Sequence, residues 1–418
     1  MRKPLIIAIM CFAAALAASA QVPTKIFDPS FKSVQVYYPE NAYAPPIIQL
    51  GSDEYVLVSF DEMTVEHQYL RYSLVHCNAD WTPSQLFDAE YVDGFNYANI
   101  DNFEYSSGTF SHFVHYSFTV PNEDMKISKS GNYLVKVYPE DDPDNILLQT
   151  GFFVCDKSIS ATMDVTSRTD LSYNREHQQL SAIINTLNFD VRDPYNDLFL
   201  YFTQNSRLDN QVVVDKPLMV NATEIEYDHT KNLIFTAGNE FRRIETVDVT
   251  TINMGVQRLE YIDPYYHATL EVDQPRFDSG YLYDQTQYGR FTIRNRLVDN
   301  HDTMADYIVT HFALNTEGPL EGGKIYLDGE FTNHQFTPEF MMRYDSDSGM
   351  YLTDLLLKQG AYNYQYLWVP DGSATGYTAK IEGDKYQTVN EYLLRVYYRH
   401  PGDRYDNLIG YALVFSGT

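Results

Sequence analysis

"GAYNYQYLWV" (Gly360–Val369) places Tyr362, Tyr364 and Tyr366 at a strict period of two. Successive side chains of a strand alternate between faces, so this spacing puts all three tyrosines on one face of a sheet, where a helix would scatter them around its axis. The same grammar recurs on either side. "GGKIYLDGEFTNHQF" (Gly322–Phe336) gives a strand and a turn, and Glu391–Tyr398 and Leu408–Phe415 give the last two strands.

Toward the N-terminus the aromatic and β-branched runs Tyr55–Phe60, Tyr69–Val75, Phe110–Val120, Tyr133–Tyr138 and Leu147–Val154 also predict strands. Pro121-Asn122, Ser130-Gly131-Asn132 and Asp141–Asp144 separate them as turns. "REHQQLSAIINTL" (Arg175–Leu187) has some helical character, yet it runs on into "FLYFTQN" (Phe199–Asn205), and we read it as strand, with Asp193–Asp197 as the hairpin-type connection. Short strands at this spacing describe an all-β chain of three consecutive immunoglobulin-like β-sandwich domains. The boundaries read as 21–157, 158–300 and 301–418, with the polar stretch 276–300 as a connector that contributes a hairpin.

Residues 1–20 read as an export signal: Arg2 and Lys3, the apolar run Leu5–Ala18, and the small-residue cleavage site Ala18-Ser19-Ala20. Cys11 lies inside the apolar run with no cleavage signal before it, so it is not a lipid attachment site. No later segment approaches the roughly 20 apolar residues that span a bilayer. Cleavage removes two bases and no acid, which takes the formal charge from −27 to −29. Binding of phosphate backbones rests on Lys and Arg, so nucleic acid is excluded as a ligand. Cys77 and Cys155 then remain, and a disulfide between them is left open.

"HCNADW" (His76–Trp81) is the densest cluster of chemistry-bearing side chains. A metal site would use His76, Cys77 and Asp80, but neighbours on a strand point to opposite faces and no second cluster supplies further ligands. The same geometry argues against Cys77 paired with His76 or His112 as a nucleophile. We expect a strand end and an Asn/Asp turn anchored by Trp81. "GPLEGGKI" (Gly318–Ile325) has phosphate-loop spacing, but Ile325 stands where Ser or Thr would hold magnesium and a strand follows. His112 and His115 do not share a strand face. The acidic loops Glu140–Asp142 and Asp345–Asp347 read as solvated, with a structural calcium ion left open. No catalytic, cofactor-binding or metal residue is assigned.

Gly329–Asn333 and Lys358–Tyr364 together resemble early-set immunoglobulin-like modules, which include starch- and glycogen-binding domains. His334 and Gln335 stand where those modules carry a sugar-stacking tryptophan. An exported glycan-binding protein using 301–418 and its tyrosine stripe is therefore the alternative function.

Five ordered blocks carry a broader resemblance: Leu57–Met63, Tyr69–Phe95, Tyr116–Tyr138, Gly238–Ile244 and Val389–Val414. Over Ile26 to the C-terminus the chain resembles the type IX secretion system plug proteins of Bacteroidetes-type bacteria. That resemblance implies a periplasmic, non-enzymatic protein, held at the outer membrane through a very large translocon barrel of the SprA type. It would close the periplasmic mouth of the barrel while no cargo occupies it. No partner-contact residue is transferable from the resemblance.

Overall fold

The computed structural model describes residues 23–417, so the export signal lies outside the described residues. Nearly every regular element is a strand. In the first module Leu70–Cys77, Gly131–Pro139 and Leu148–Cys155 form the centre of one sheet, facing a second built on Phe31–Tyr37, Val56–Glu62 and Val114–Val120. Alternation fills the space between them: Val56, Val58 and Phe60 from one sheet meet Leu70, Tyr72 and Leu74 from the other. Gly131–Pro139 is buried on both faces, because its far side bears on a second module.

The middle module pairs Ser160–Thr166 with His177–Asn185, so "REHQQLSAIINTL" is strand as read. Its opposing sheet runs Val212–Val214, Leu198–Gln204, Glu391–Tyr398, Asn407–Phe415. This corrects the sequence-based boundaries. The final two strands, assigned to a domain 301–418, close the middle sandwich, and their Tyr392, Leu394, Val396 and Ile409 lie in its core. The modules are therefore not consecutive. The third is inserted between Thr236 and Glu391, and it takes up strands from Arg242 onward that the reading had given to 158–300.

That inserted module is a nine-stranded sheet curled around one core. Its axis is the 11-residue strand Gly360–Pro370, which pairs with Gly323–Asp328 along one part and with Arg242–Glu245 along another. Tyr362, Tyr364 and Tyr366 all point into the core, at 1%, 3% and 0% exposure. Buried hydroxyls need acceptors. Asp273 Oδ2 serves two of them, at 2.8 Å from Tyr364 and 2.7 Å from Tyr366. The stretch 276–300 contributes one short edge strand, Phe291–Ile293, on Gly360–Pro370 rather than a hairpin.

Candidate functional site

The residues singled out in the sequence are structural. Leu70–Cys77 ends at His76 and Cys77, which face opposite ways: His76 packs among Tyr91, Tyr133 and Tyr405, and Cys77 joins the cluster of Trp81, Phe153 and Tyr397. Asp80 Oδ1 accepts from the Thr82 amide at 3.0 Å and hydroxyl at 2.6 Å, which fixes the turn. Cys77 and Cys155 are free and buried, and burial pushes both thiols up to about 12. Thiols held this far above neutrality are inert as nucleophiles.

His112 is exposed while His115 binds Asp61, so the two are not a ligand pair. Lys324 of the glycine-rich stretch is exposed within the strand Gly323–Asp328. His334 bonds Asp328 at 2.9 Å and Gln335 donates to the Thr24 carbonyl at 2.6 Å, so both positions are occupied by internal contacts. With its three tyrosines in the core, the stripe that motivated a glycan reading is not a surface. Among the described residues no group of three or more His, Cys, Asp or Glu is placed to hold a metal ion.

His76 carries a pH consequence. Its Nε2 lies 2.9 Å from the Ser130 carbonyl and its Nδ1 2.8 Å from the Ser84 hydroxyl, an arrangement that suits the neutral ring with the proton on Nε2. Burial holds its pKa low, at about 4. The unfolded chain therefore binds the proton first as pH falls. The resulting stability, on the order of 3 kcal/mol from the size of the shift, is complete above about pH 6.5 and is lost as pH falls toward about 4. NMR titration should find the ring neutral at about pH 5.5, and a midpoint above about 6 would refute this.

What the structure does build is a set of joints between modules. At the first, Trp81, Phe153 and Cys155 of the first module pack on Leu393, Tyr397 and Leu408 of the middle one. Polar groups lock the contact: Ala79 donates its amide to Asp406 at 3.0 Å, and the Tyr397 hydroxyl donates to Asn132 at 2.6 Å. Arg395, 1% exposed, sits over the Phe153 ring at 4.7 Å.

The second joint ties the first module to the third. Asp61 accepts from Lys358 Nζ at 2.6 Å and from the Tyr307 hydroxyl at 2.7 Å, and its other oxygen lies 2.7 Å from His115 Nδ1. Asp61 and Lys358 are 1% and 2% exposed. Burial alone would raise the Asp61 pKa, but the charges of Lys358 and His115 bring it below the ordinary carboxylate range. Beside it, Asp306 accepts the amides of Phe110 and Ser111 at 2.8 and 3.0 Å.

The third joint lies at the insertion point. Arg290 binds both oxygens of Glu391 at 2.8 and 3.0 Å, in a buried pair. Gln178 donates to the Thr388 carbonyl at 2.8 Å, and Asn390 to the Ala237 carbonyl at 2.7 Å. Three joints close a ring of contacts, so no module hangs from a single linker. Sequence reasoning did not find these groups. The available signal was a charge closing an apolar strand, as in "VLVSFDE" before Met63 and "LLLK" before Gln359.

The described residues also carry exposed aromatic clusters. On the first module the His67 ring stacks on Phe103 with centroids 4.1 Å apart and planes 12° apart, and lies 5.0 Å from Tyr69. Its Nδ1 bonds the Tyr105 hydroxyl at 2.9 Å. Along the same edge Arg71 lies over Tyr97 at 5.3 Å, and Phe95 follows at 5.7 Å.

Residues 31–156 match the family model described as type 9 secretion system plug protein 1st domain. No curated protein matches the chain. A solved structure, a hypothetical protein from Parabacteroides merdae ATCC 43184, is similar at 40% identity, covering 95% of this chain and 100% of that one, with a TM-score of 0.93. A Pseudomonas fluorescens alkylpurine DNA glycosylase bound to DNA, at 12% identity over 32% of this chain and 30% of its own, reaches a TM-score of only 0.18. Escherichia coli alpha-2-macroglobulin reaches 0.17, at 9% identity over 92% of this chain and 31% of its own. Neither of the last two bears on the fold or the function.

Proposed function

Because the chain belongs to the type 9 secretion system plug family, we propose that it docks at the periplasmic mouth of a large, SprA-type outer-membrane translocon barrel and occludes it while no cargo is engaged. The observation that carries this reading is the family match over 31–156. The joints supply the mechanical property that such a role needs. A seal docks with little loss of ordering entropy only if its parts are already fixed relative to one another. The buried Asp61–Lys358 and Arg290–Glu391 pairs and the Trp81 cluster hold the three modules in that way.

Occlusion requires no covalent chemistry, and the family is a non-enzymatic component of the secretion system. The acidic surface keeps the plug soluble when cargo displaces it. No helix among the described residues is long and apolar enough to cross a membrane, and on this reading association with the outer membrane runs through the translocon. Deleting the gene should make the outer membrane permeable to antibiotics too large for porins, and a copy in trans should restore the barrier. A tagged protein should recover the barrel in near-equal amount from membranes in mild detergent. Unchanged permeability together with no recovered barrel would sink the reading.

A further inference from the structure

We propose that the aromatic edge of the first module is the surface that meets the translocon, and that the partner presents apolar side chains ringed by Lys and Arg. The inference rests on the plug reading and adds to it the docking face and the chemistry of its complement.

Several large apolar side chains are exposed elsewhere, Leu282 at 81% and Leu171 at 67% among them. The first-module edge is assembled beforehand, and it exposes more of its rings than the cluster of Phe110, Tyr261 and Tyr266 does. His67, Tyr69, Phe103 and Tyr105 hold one another by ring contacts and a hydrogen bond, and Tyr97 is held by Arg71 and Phe95. Tyr69 and Phe95 are nonetheless 72% and 73% exposed, and Tyr97 and Tyr105 are 47% and 50% exposed. Rings already fixed in place lose little freedom on docking, and tyrosine is among the residues that concentrate binding energy at interfaces.

Charge indicates what covers them. Arg71 is already spoken for by Glu140 at 2.5 Å and Asn99 at 2.8 Å. Around it stand the exposed carboxylates Glu66, beside His67 in the chain, and Glu140, Asp141 and Asp142, whose turn joins the Tyr69 carbonyl through the Glu140 amide. Two cations, the paired Arg71 and Lys136 across from Ser73, against four carboxylates leave an acidic rim around an apolar centre. Its complement is a basic rim, and electrostatic matching of that kind sets orientation and speeds encounter. The whole edge lies within 31–156, the segment that carries the family match.

The test uses the full mature chain and the purified translocon barrel in detergent. The double variant Tyr69→Glu, Tyr97→Glu should keep the wild-type urea midpoint, since Tyr69 and Tyr97 are exposed, and should bind the barrel more than about tenfold more weakly. Leu282→Ser, on the third module, should bind as wild type. Raising salt from about 0.05 to about 0.5 M should weaken wild-type binding several-fold. If the wild type binds and the double variant binds equally, the docking face is wrong while the plug reading stands. If the wild type fails to bind, the plug reading fails and takes this inference with it. Loss in the double variant of a concentration-dependent dimer, with barrel binding unchanged, would assign the edge to a second copy and overturn the proposal.

Discussion

Lys358→Met is expected to lower the stability of the folded protein by about 3–5 kcal/mol, the range for removing one member of a buried ion pair. Asp61 would then keep two hydrogen-bond partners, Tyr307 and His115, but lose the ammonium 2.6 Å away in a site that is 1% exposed. Met matches the length of Lys and can still lie against Phe113, whose ring the ammonium approaches at 4.2 Å. The loss is therefore that of the charge and of the ammonium's donation to the Asp302 carbonyl. The double variant Lys358→Met, Asp61→Asn should recover part of the stability, because it removes the stranded carboxylate as well. The sign of the acid response should change too. In the wild type Asp61 titrates below its ordinary value, so its contribution is present at neutral pH and disappears as pH falls through its folded-state value, below about 4. Without Lys358, protonating Asp61 relieves the site, and mild acid should narrow the gap between variant and wild type. Urea unfolding at pH 7 and pH 5 measures both effects. A loss under about 1 kcal/mol would mean that Asp61 is not left as a stranded charge when Lys358 is removed.

The strand content was legible because period two and turn residues are local signals. Tyr362, Tyr364 and Tyr366 announced a sheet face, and that face is core. The order of modules was not legible. Glu391–Tyr398 and Asn407–Phe415 read as strands correctly, yet nothing in their alternation says that they pair with Leu198–Gln204 across an inserted module of some 150 residues. Pairing partners are chosen by side-chain fit between distant segments. The joints were hidden for the same reason. Asp61 and Lys358 are 297 positions apart, and each alone looks like a charge at a strand end. The aromatic edge was half visible: "HQYLRY" and "FNYANIDNFEY" are rich in rings, but only the strand pairing of Arg71 with Asn99 brings the two runs side by side.

Trp81→Ala should destabilise the protein by about 3–5 kcal/mol, the usual cost of deleting a fully buried large aromatic. The indole is 2% exposed and lies 5.2 Å from Phe153, centroid to centroid. Gly151 makes room for it, since a Cβ there would stand 2.7 Å from the indole ring. Trp81 sits in the left-handed region with φ 66°, and alanine would keep that backbone strain while losing the packing that compensates for it. The cavity would open at the seam with Leu393, Tyr397 and Leu408, so the middle module should loosen from the first and the calorimetric transition should broaden or split. Trp81→Phe separates volume from chemistry. The indole nitrogen has no hydrogen-bond partner among the described residues, so phenylalanine forfeits only part of the packing and should fall well short of the alanine loss. If Trp81→Ala instead kept full stability and lost the barrel, the turn "HCNADW" would belong to the docking face, and the seam would owe its strength to its other contacts, Tyr397 with Asn132 and Arg395 over Phe153 among them.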